Sequence, residues 1–481
     1  MPPDTSKVNI NTTGIKANSF DAIVIGSGIS GGWAAKEFCD LGLRTLVLER
    51  GRDVVHGKDY PTATKNPWDF SHRGRLTMEV EKANPVVGKC YAFNDTTEHF
   101  FVKDKDHPYI QEKPFDWIRA YQVGGKSLLW ARQTQRWSSY DFEGPARYSY
   151  VEKFAGISGN MDGLDTLPDG EFLKPWELNC VEKEMQQKIM AHYKDRHVIV
   201  GRCAHLTEPK PVHIEQGRTQ CQARSLCERG CPFGGYFSSN STTLPWAQKT
   251  GNLTLRPNSV VHSIIFDEKQ NKATGVRVIE SETKATTEYY AKVIFVNSAC
   301  LNTNLILLNS TSERFPDGLG NDNGLLGKYI AFHNYKGSLF AEMEGHEDSY
   351  YYGKRPTQAM MPNFRNVHRQ EMDFLRGYTV HFGAGRAGIN QNIPGATIGG
   401  DYKDALCEPG GWYVSMMMQG ETIPKESNHV RLSRDKNDEW GIPQLITSVG
   451  YDDNDEKSMK DFLEQGQEML ERAGCKNISA N

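Results

Sequence analysis

The sequence predicts an α/β fold in two unequal parts: a parallel-sheet domain of the Rossmann-like kind, then a second, sheet-rich domain. Three observations predict it. A strand, a glycine-rich turn, a helix and a second strand follow one another over residues 20–51. Apolar alternation returns at 253–279, and an apolar strand and helix follow at 292–308. Residues 336–419 then carry many aromatics, glycines and methionines but few helical periods.

The bulk composition sets bounds. The chain has 481 residues, 38% hydrophobic and 24% charged, an ordinary globular balance. That length suggests roughly two or three domains. With 56 Lys+Arg against 60 Asp+Glu the net charge is −4, which gives no nucleic-acid footprint. No stretch reaches the roughly 18 uninterrupted apolar residues of a membrane span. The most apolar segment, 293–308, is broken by Asn297, Ser298, Asn302, Thr303 and Asn304. The polar N-terminus has no hydrophobic signal core, so the expected location is the cytoplasm; the alternative is the periplasm, reached with a partner subunit. Ten cysteines are too sparse for a disulfide scaffold.

In chain order, residues 1–18 read as a flexible tail. Residues 21–25 are a strand, 32–41 a helix ended by Gly42, and 44–48 a strand ending at Glu49. The polar, Pro-rich stretch 52–117 reads as extended loops. Residues 121–130 are a glycine-rich turn and an apolar run. A helix is expected over 175–193, with Pro175 at its first position and Leu178, Val181, Met185 and Ile189 at helical spacing. Residues 253–279 alternate as two strands around a turn at Lys269, Gln270 and Asn271. Residues 292–296 are a buried-strand candidate, and 301–308 continue as a helix. The cleanest helix is 455–473, with Met459, Phe462, Leu463, Met469, Leu470 and Ala473 on one stripe and Gly474 as its stop.

The strongest chemical signal is G-x-G-x-x-G at Gly26, Gly28 and Gly31. Gly26 permits the tight turn, Gly28 lets the backbone approach a pyrophosphate, and Gly31 lets helix and strand pack closely. The helix N-terminus offers free N–H groups to the phosphates, and Glu49 can accept from ribose hydroxyls. The strand, turn, helix, strand and acid fall in the order of a dinucleotide site; the plain alternative is a glycine-rich turn with a surface Glu. A second turn, Gly124 and Gly125, can close backbone N–H groups around another part of a long cofactor. The candidate cofactor-binding residues are Gly26, Ser27, Gly28, Gly31, Glu49, Arg50, Gly124, Gly125, Ser127 and Val261.

These segments resemble the glucose–methanol–choline (GMC) oxidoreductases, a family of FAD enzymes. VGGKSLLW at 123–130 is similar to the family's second flavin-contacting segment. KVIFVNSACLNTNLILLNS at 292–310, GLLGKYIAFH at 324–333, NHVRLS at 428–433 and DEWGIP at 438–443 resemble further family segments in the same order. The resemblance implies an FAD-binding domain at 19–333 with inserted loops and a Cys-rich segment, a substrate domain at 334–427 and an incomplete C-terminal family segment at 428–481. Within the family the likeness is to gluconate, fructose and glucoside dehydrogenases and pyranose oxidase. It implies a sugar or glycoside substrate, a small subunit and a cytochrome electron acceptor. Leu129 stands where pyranose oxidases carry a flavin-linked His, which implies non-covalent FAD.

Three cysteines, Cys221, Cys227 and Cys231, form C-x5-C-x3-C before Pro232. Thiolates this close can share one soft metal centre, and the spacing fits four-coordinate zinc poorly. Three ligands suit a [3Fe–4S] cluster, and the segment resembles that of cluster-bearing sugar dehydrogenases. Buried apolar thiols, a Cys221–Cys227 disulfide and a metal-free motif are the alternatives.

The family abstracts a hydroxyl proton with a C-terminal His in a motif such as H-E-M-G. Only residues 475–481 follow the last helix, without a His. The catalytic residues are therefore unassigned, and truncation is the expectation. The connection FEGPARYSY at 142–150 is also shorter than the family's. His333 and His381 read as packed or surface histidines. WYVSMMMQGE at 412–421 reads as a sugar-pocket wall or simply a half-buried strand. Three functions follow: an FAD-dependent dehydrogenase taking a secondary sugar hydroxyl to a ketone, a nicotinamide-linked reductase, or a non-enzyme, either a truncated, inactive flavin-binding remnant or an electron-transfer subunit.

Overall fold

The computed structural model describes residues 18–138, 147–349, 358–387 and 398–480. Residues 1–17 of the expected tail and residues 142–146 of the 142–150 connection lie outside them. Among the described residues there are three sheets.

The first has six strands, ordered Leu253–Arg256, Thr45–Leu48, Ser19–Ile25, Thr286–Val296, Lys272–Glu280, Ser259–Asp267. The first four run parallel; the last two pair antiparallel. The Ser19–Ile25 strand is central, and its apolar run is buried because side chains of other elements pack on both faces of the sheet. Ile23 and Ile25 face Leu46, Leu48, Leu301 and Leu305. Val24 and Val47 face Ala35, Val123 and Leu244. The helix Ile29–Asp40 starts directly after Gly28 and stops before Gly42, whose φ is +80°.

The second sheet has seven strands: Lys476–Ala480, Ser338–Met343, Trp412–Glu421, Tyr378–Arg386, Ala359–Met361 and Ile199–Val200 in order, with His333–Asn334 on the side of Trp412–Glu421. Two of these, Ile199–Val200 and Lys476–Ala480, come from outside 334–427. Helices Cys180–His192 and Asp453–Arg472 cover one face, where Val181, Met185, Ile189, Phe462 and Leu470 meet Val380, Phe382, Val414 and Met416. A third sheet joins His429–Asn437, Pro443–Ser448 and Ile110–Gln111.

Several expectations needed correction. The helix expected from Pro175 begins at Cys180, because Asn179 and Glu182 form a reciprocal capping box there. The two strands expected at 253–279 are three, since the chain breaks after Arg256 and Asn258 takes a φ of +55°. The loops at 52–117 hold a short helix, Met78–Ala83, and several single turns. The strand expected at 292–296 extends back to Thr286 and is not buried: Val293 is 39% and Phe295 48% exposed. Its antiparallel partner reaches only Tyr290, so beyond that point the strand is paired on one side, by Ser19–Ile25.

Candidate functional site: a dinucleotide cleft and a cysteine cavity

A cavity of about 400 Å³ opens at the carboxyl ends of the Ser19–Ile25 and Thr45–Leu48 strands. That is where a doubly wound sheet places its ligand. Gly26, Ser27, Gly28, Glu49, Arg50, Gly125, Ser127 and Val261 all line it. Gly31 and Gly124 stand behind the wall and shape it. Gly26 has a φ of +96°, and a Cβ on Gly31 would sit 1.9 Å from the Gly26 carbonyl oxygen. A Cβ on Gly28 would meet no protein atom within 4 Å and would project into open space.

Hydrogen bonds lock the two glycine turns together. Ser27 donates through N–H (3.1 Å) and Oγ–H (2.5 Å) to Glu49 Oε2, while its Oγ accepts from the Gly124 N–H at 3.0 Å. Gly51 N–H donates to Glu49 Oε1 at 3.0 Å. Ser127 Oγ donates to the Gly124 carbonyl at 2.6 Å and accepts from Ser239 N–H at 3.0 Å. Burial pushes the Glu49 carboxyl above the usual range, while the Ser27 and Gly51 hydrogen bonds pull it back. The second turn therefore folds against the first because Ser27 bridges them.

The cleft also contains a residue that sequence reasoning missed. Arg119 is 5% exposed and lines both this cleft and an adjoining small one. Its guanidinium lies 4.5 Å from the Trp117 ring centre, 5.2 Å from Tyr109 and 5.9 Å from Tyr121. Its Nε is buried with no hydrogen-bond partner. Beside it, Arg50 Nη2 pairs with Asp438 at 3.2 Å and with His107 Nδ1 at 3.2 Å. His107 stacks on Trp440 at 5.2 Å, and burial with the Arg50 charge pulls it down to about 3, so its ring is neutral and accepts. A buried guanidinium without a carboxylate suits an anionic ligand. The glycine cradle, the free space at Gly28 and the two arginines thus fit the pyrophosphate of a dinucleotide such as FAD.

Cys221, Cys227 and Cys231 line a second, small cavity together with His205 and Tyr236. All three are free thiols. Burial pushes Cys221 up to about 11 and Cys227 up to about 12, with Arg132 opposing in both cases. Gly235 N–H donates to Cys231 Sγ at 3.4 Å. Among the described residues no three His, Cys, Asp or Glu side chains gather tightly enough for a single metal ion. A multi-iron cluster spreads its ligands wider than one ion does, and three thiols on one cavity match its donor set.

Trp412–Glu421 is a half-buried strand, with Tyr413 and Met417 on its open face at 46% and 40% exposure. His381 is 5% exposed, with its Nε2 3.2 Å from Thr379 Oγ1, and burial pulls it down to about 4. His333 influences it across the sheet. Neither histidine lines the dinucleotide cleft. Among the described residues no helix is long and apolar enough to cross a membrane.

A family model for GMC oxidoreductases matches residues 132–333. A 2-methyl-1,2-propanediol dehydrogenase of Mycolicibacterium austroafricanum is 26% identical over 474 residues, covering 91% of this chain and 78% of that one. The fructose dehydrogenase large subunit of Gluconobacter japonicus is 24% identical over 468 residues, covering 90% and 80%. The crystal structure of pyridoxine 4-oxidase from Mesorbium loti superposes with a TM-score of 0.55 at 16% identity, covering 95% of this chain and 82% of that one. With the doubly wound sheet, the cleft at its carboxyl edge and these matches in hand, the chain carries a GMC oxidoreductase domain over residues 132–333 and is similar along most of its length to enzymes of that family.

Proposed function

We propose that the protein is an FAD-dependent dehydrogenase that oxidises a secondary hydroxyl of a sugar or glycoside to a ketone. The observation that carries this is the cleft, in which Ser27 ties the Gly26–Gly28 turn to Glu49 and to the Gly124–Gly125 turn. FAD bound there supplies a two-electron acceptor for a hydride from the carbinol carbon. The chain's own residues hold the cofactor. Gly28 leaves room for the pyrophosphate, Arg50 and Arg119 bring positive charge to the wall, and Glu49 is placed to accept from ribose hydroxyls. Fructose dehydrogenase among the relatives supports a sugar substrate, and its name as a large subunit supports a partner subunit and an onward electron acceptor. A [3Fe–4S] cluster on Cys221, Cys227 and Cys231 would suit one-electron transfer to a cytochrome.

The test is anaerobic. The flavin-loaded protein is mixed with a panel of sugars, glycosides and diols while the flavin absorbance is followed. Bleaching by a sugar with formation of a ketone supports the proposal. Bleaching only by simple diols would refute the sugar assignment. A second reading, a flavin-binding protein without turnover, is favoured by one observation: the described residues lining the cleft include no histidine. Retention of oxidised flavin with every substrate would select it.

A further inference from the structure

Buried positive charge lies beside the cysteine cavity, and a single carboxylate balances only part of it. Arg218 is 2% exposed. It donates from Nε to the Gly234 carbonyl at 2.8 Å, and from Nη1 to the Ala155 carbonyl at 2.9 Å and to Gln216 Oε1 at 3.1 Å. Its Nη2 is buried and has no partner. The ionisable group it faces is Cys231. On the other side, Arg132 is 5% exposed and pairs with Glu228 at 2.8 Å, while its Nε is buried without a partner and its charge faces Cys227. His205 is fully buried, with Nε2 3.9 Å from Cys227 Sγ and a partnerless Nδ1.

Two buried guanidinium groups, Arg132 and Arg218, and the Glu228 carboxylate thus stand near three thiols, and Arg224 on the cavity wall adds a third guanidinium. A buried charge needs a counter-charge. Neutral apolar thiols provide none, and a Cys221–Cys227 disulfide provides none. An iron–sulfur group held by deprotonated sulfurs does. Arg132 Nε and Arg218 Nη2 are buried without a partner, and net charge and hydrogen bonding at sulfur set cluster potentials.

We infer that Arg218 and Arg132 are the counter-charges of an anionic iron–sulfur cluster held by Cys221, Cys227 and Cys231, and that with Glu228 they set its reduction potential. This rests on the cluster proposed above. Reduction adds negative charge, so nearby positive charge raises the potential and nearby negative charge lowers it. Arg218→Gln removes a positive charge yet keeps a side-chain amide to bond the carbonyls. Glu228→Gln removes the negative charge while keeping a side-chain oxygen that can accept from Arg132.

The experiment uses the full chain purified anaerobically with its flavin. Iron and acid-labile sulfide are measured per chain, and the midpoint potential is read by redox titration with electron paramagnetic resonance. Wild type is expected to hold iron and sulfide in the cluster's ratio. Arg218→Gln is expected to shift the potential down and Glu228→Gln to shift it up. Wild-type protein with flavin but neither iron nor sulfide overturns the cluster itself. A wild-type cluster with unchanged or oppositely shifted potentials in the variants overturns the role of the arginines and leaves the cluster standing. If Arg218→Gln does not fold, Glu228→Gln alone decides by the same sign.

Discussion

Replacing Arg119 with methionine separates a ligand-binding role for this side chain from a structural one. The guanidinium is buried against Trp117, Tyr109 and Tyr121 with a partnerless Nε, on the wall of the dinucleotide cleft. A hydrogen bond to a charged group is worth about 1.5–3 kcal/mol. Losing one such bond to a cofactor phosphate weakens FAD binding about 10- to 150-fold. The unliganded protein should respond differently. Methionine keeps the contact with the rings, and an unpaired buried charge disappears, so the melting temperature of the apoprotein should hold or rise. The assay is titration of apoprotein with FAD, followed by flavin fluorescence, beside a thermal melt without FAD. An affinity within about twofold of wild type, well under the 1.4 kcal/mol of a tenfold change, would refute a phosphate contact. A collapse of the apoprotein would show that Arg119 serves the fold.

Gly28→Val should give a folded, flavin-free protein, because its side chain would enter the open cleft rather than the core; stoichiometric flavin absorbance after purification would contradict this. Gly31→Ala should instead lower the thermal midpoint, since the new methyl group would lie 1.9 Å from a carbonyl oxygen and the helix must shift, at a cost of about 1–3 kcal/mol. Tyr378→Phe removes a 2.6 Å hydrogen bond to the buried Asp461 carboxylate and should cost about 1–3 kcal/mol in denaturant titration. Asp455 is pushed up to about 6 by burial and by the neighbouring Asp452, above its ordinary 3.8. The folded state holds that proton more tightly than the unfolded state, so this group makes wild-type stability fall as pH rises from about 4 to 6. Asp455→Asn should flatten that slope; an unchanged slope in melts across this range would count against it.

Local signals in the sequence were the easiest to read. The glycine fingerprint and Glu49 lie within one strand–helix–strand unit, so neighbouring residues suffice to specify the turn. The stripe of the Asp453–Arg472 helix is equally local, and Gly474, with a φ of +86°, ends it as expected. Pro175 misled because a proline suits a first turn but does not compel one; the Asn179–Glu182 capping box, four residues on, decides the start. The apolar residues of 292–296 foretold a strand but not its exposure, which depends on how far the Lys272–Glu280 partner extends. Arg119 and Arg218 left no signal at all. An arginine reads as a surface residue until distant segments close over it and no carboxylate arrives with them. Likewise the cysteine spacing suggested a shared centre, whereas the charge around it comes from Arg132 and Arg218, which only the fold brings near.

The seven-stranded sheet draws one edge from Ile199–Val200 and the other from Lys476–Ala480, with the remaining strands between them in space and in sequence. During synthesis this imposes a timetable. All six strands of the sheet beneath the dinucleotide cleft have been made once Val296 has left the ribosome, although its core is finished only by Val430, Ile442 and Leu445. The Cys180–His192 helix waits as well. Val181, Met185 and Ile189 find their partners in Met416, Phe462 and Leu470, which are made much later. Until then that apolar stripe is only partly covered. Pairing between distant segments is intrinsically slow, and exposed apolar surface favours aggregation. Both halves of the nascent chain therefore wait on C-terminal residues, the sheet under the cleft for Val430 and Leu445 and the Cys180–His192 helix for Phe462 and Leu470.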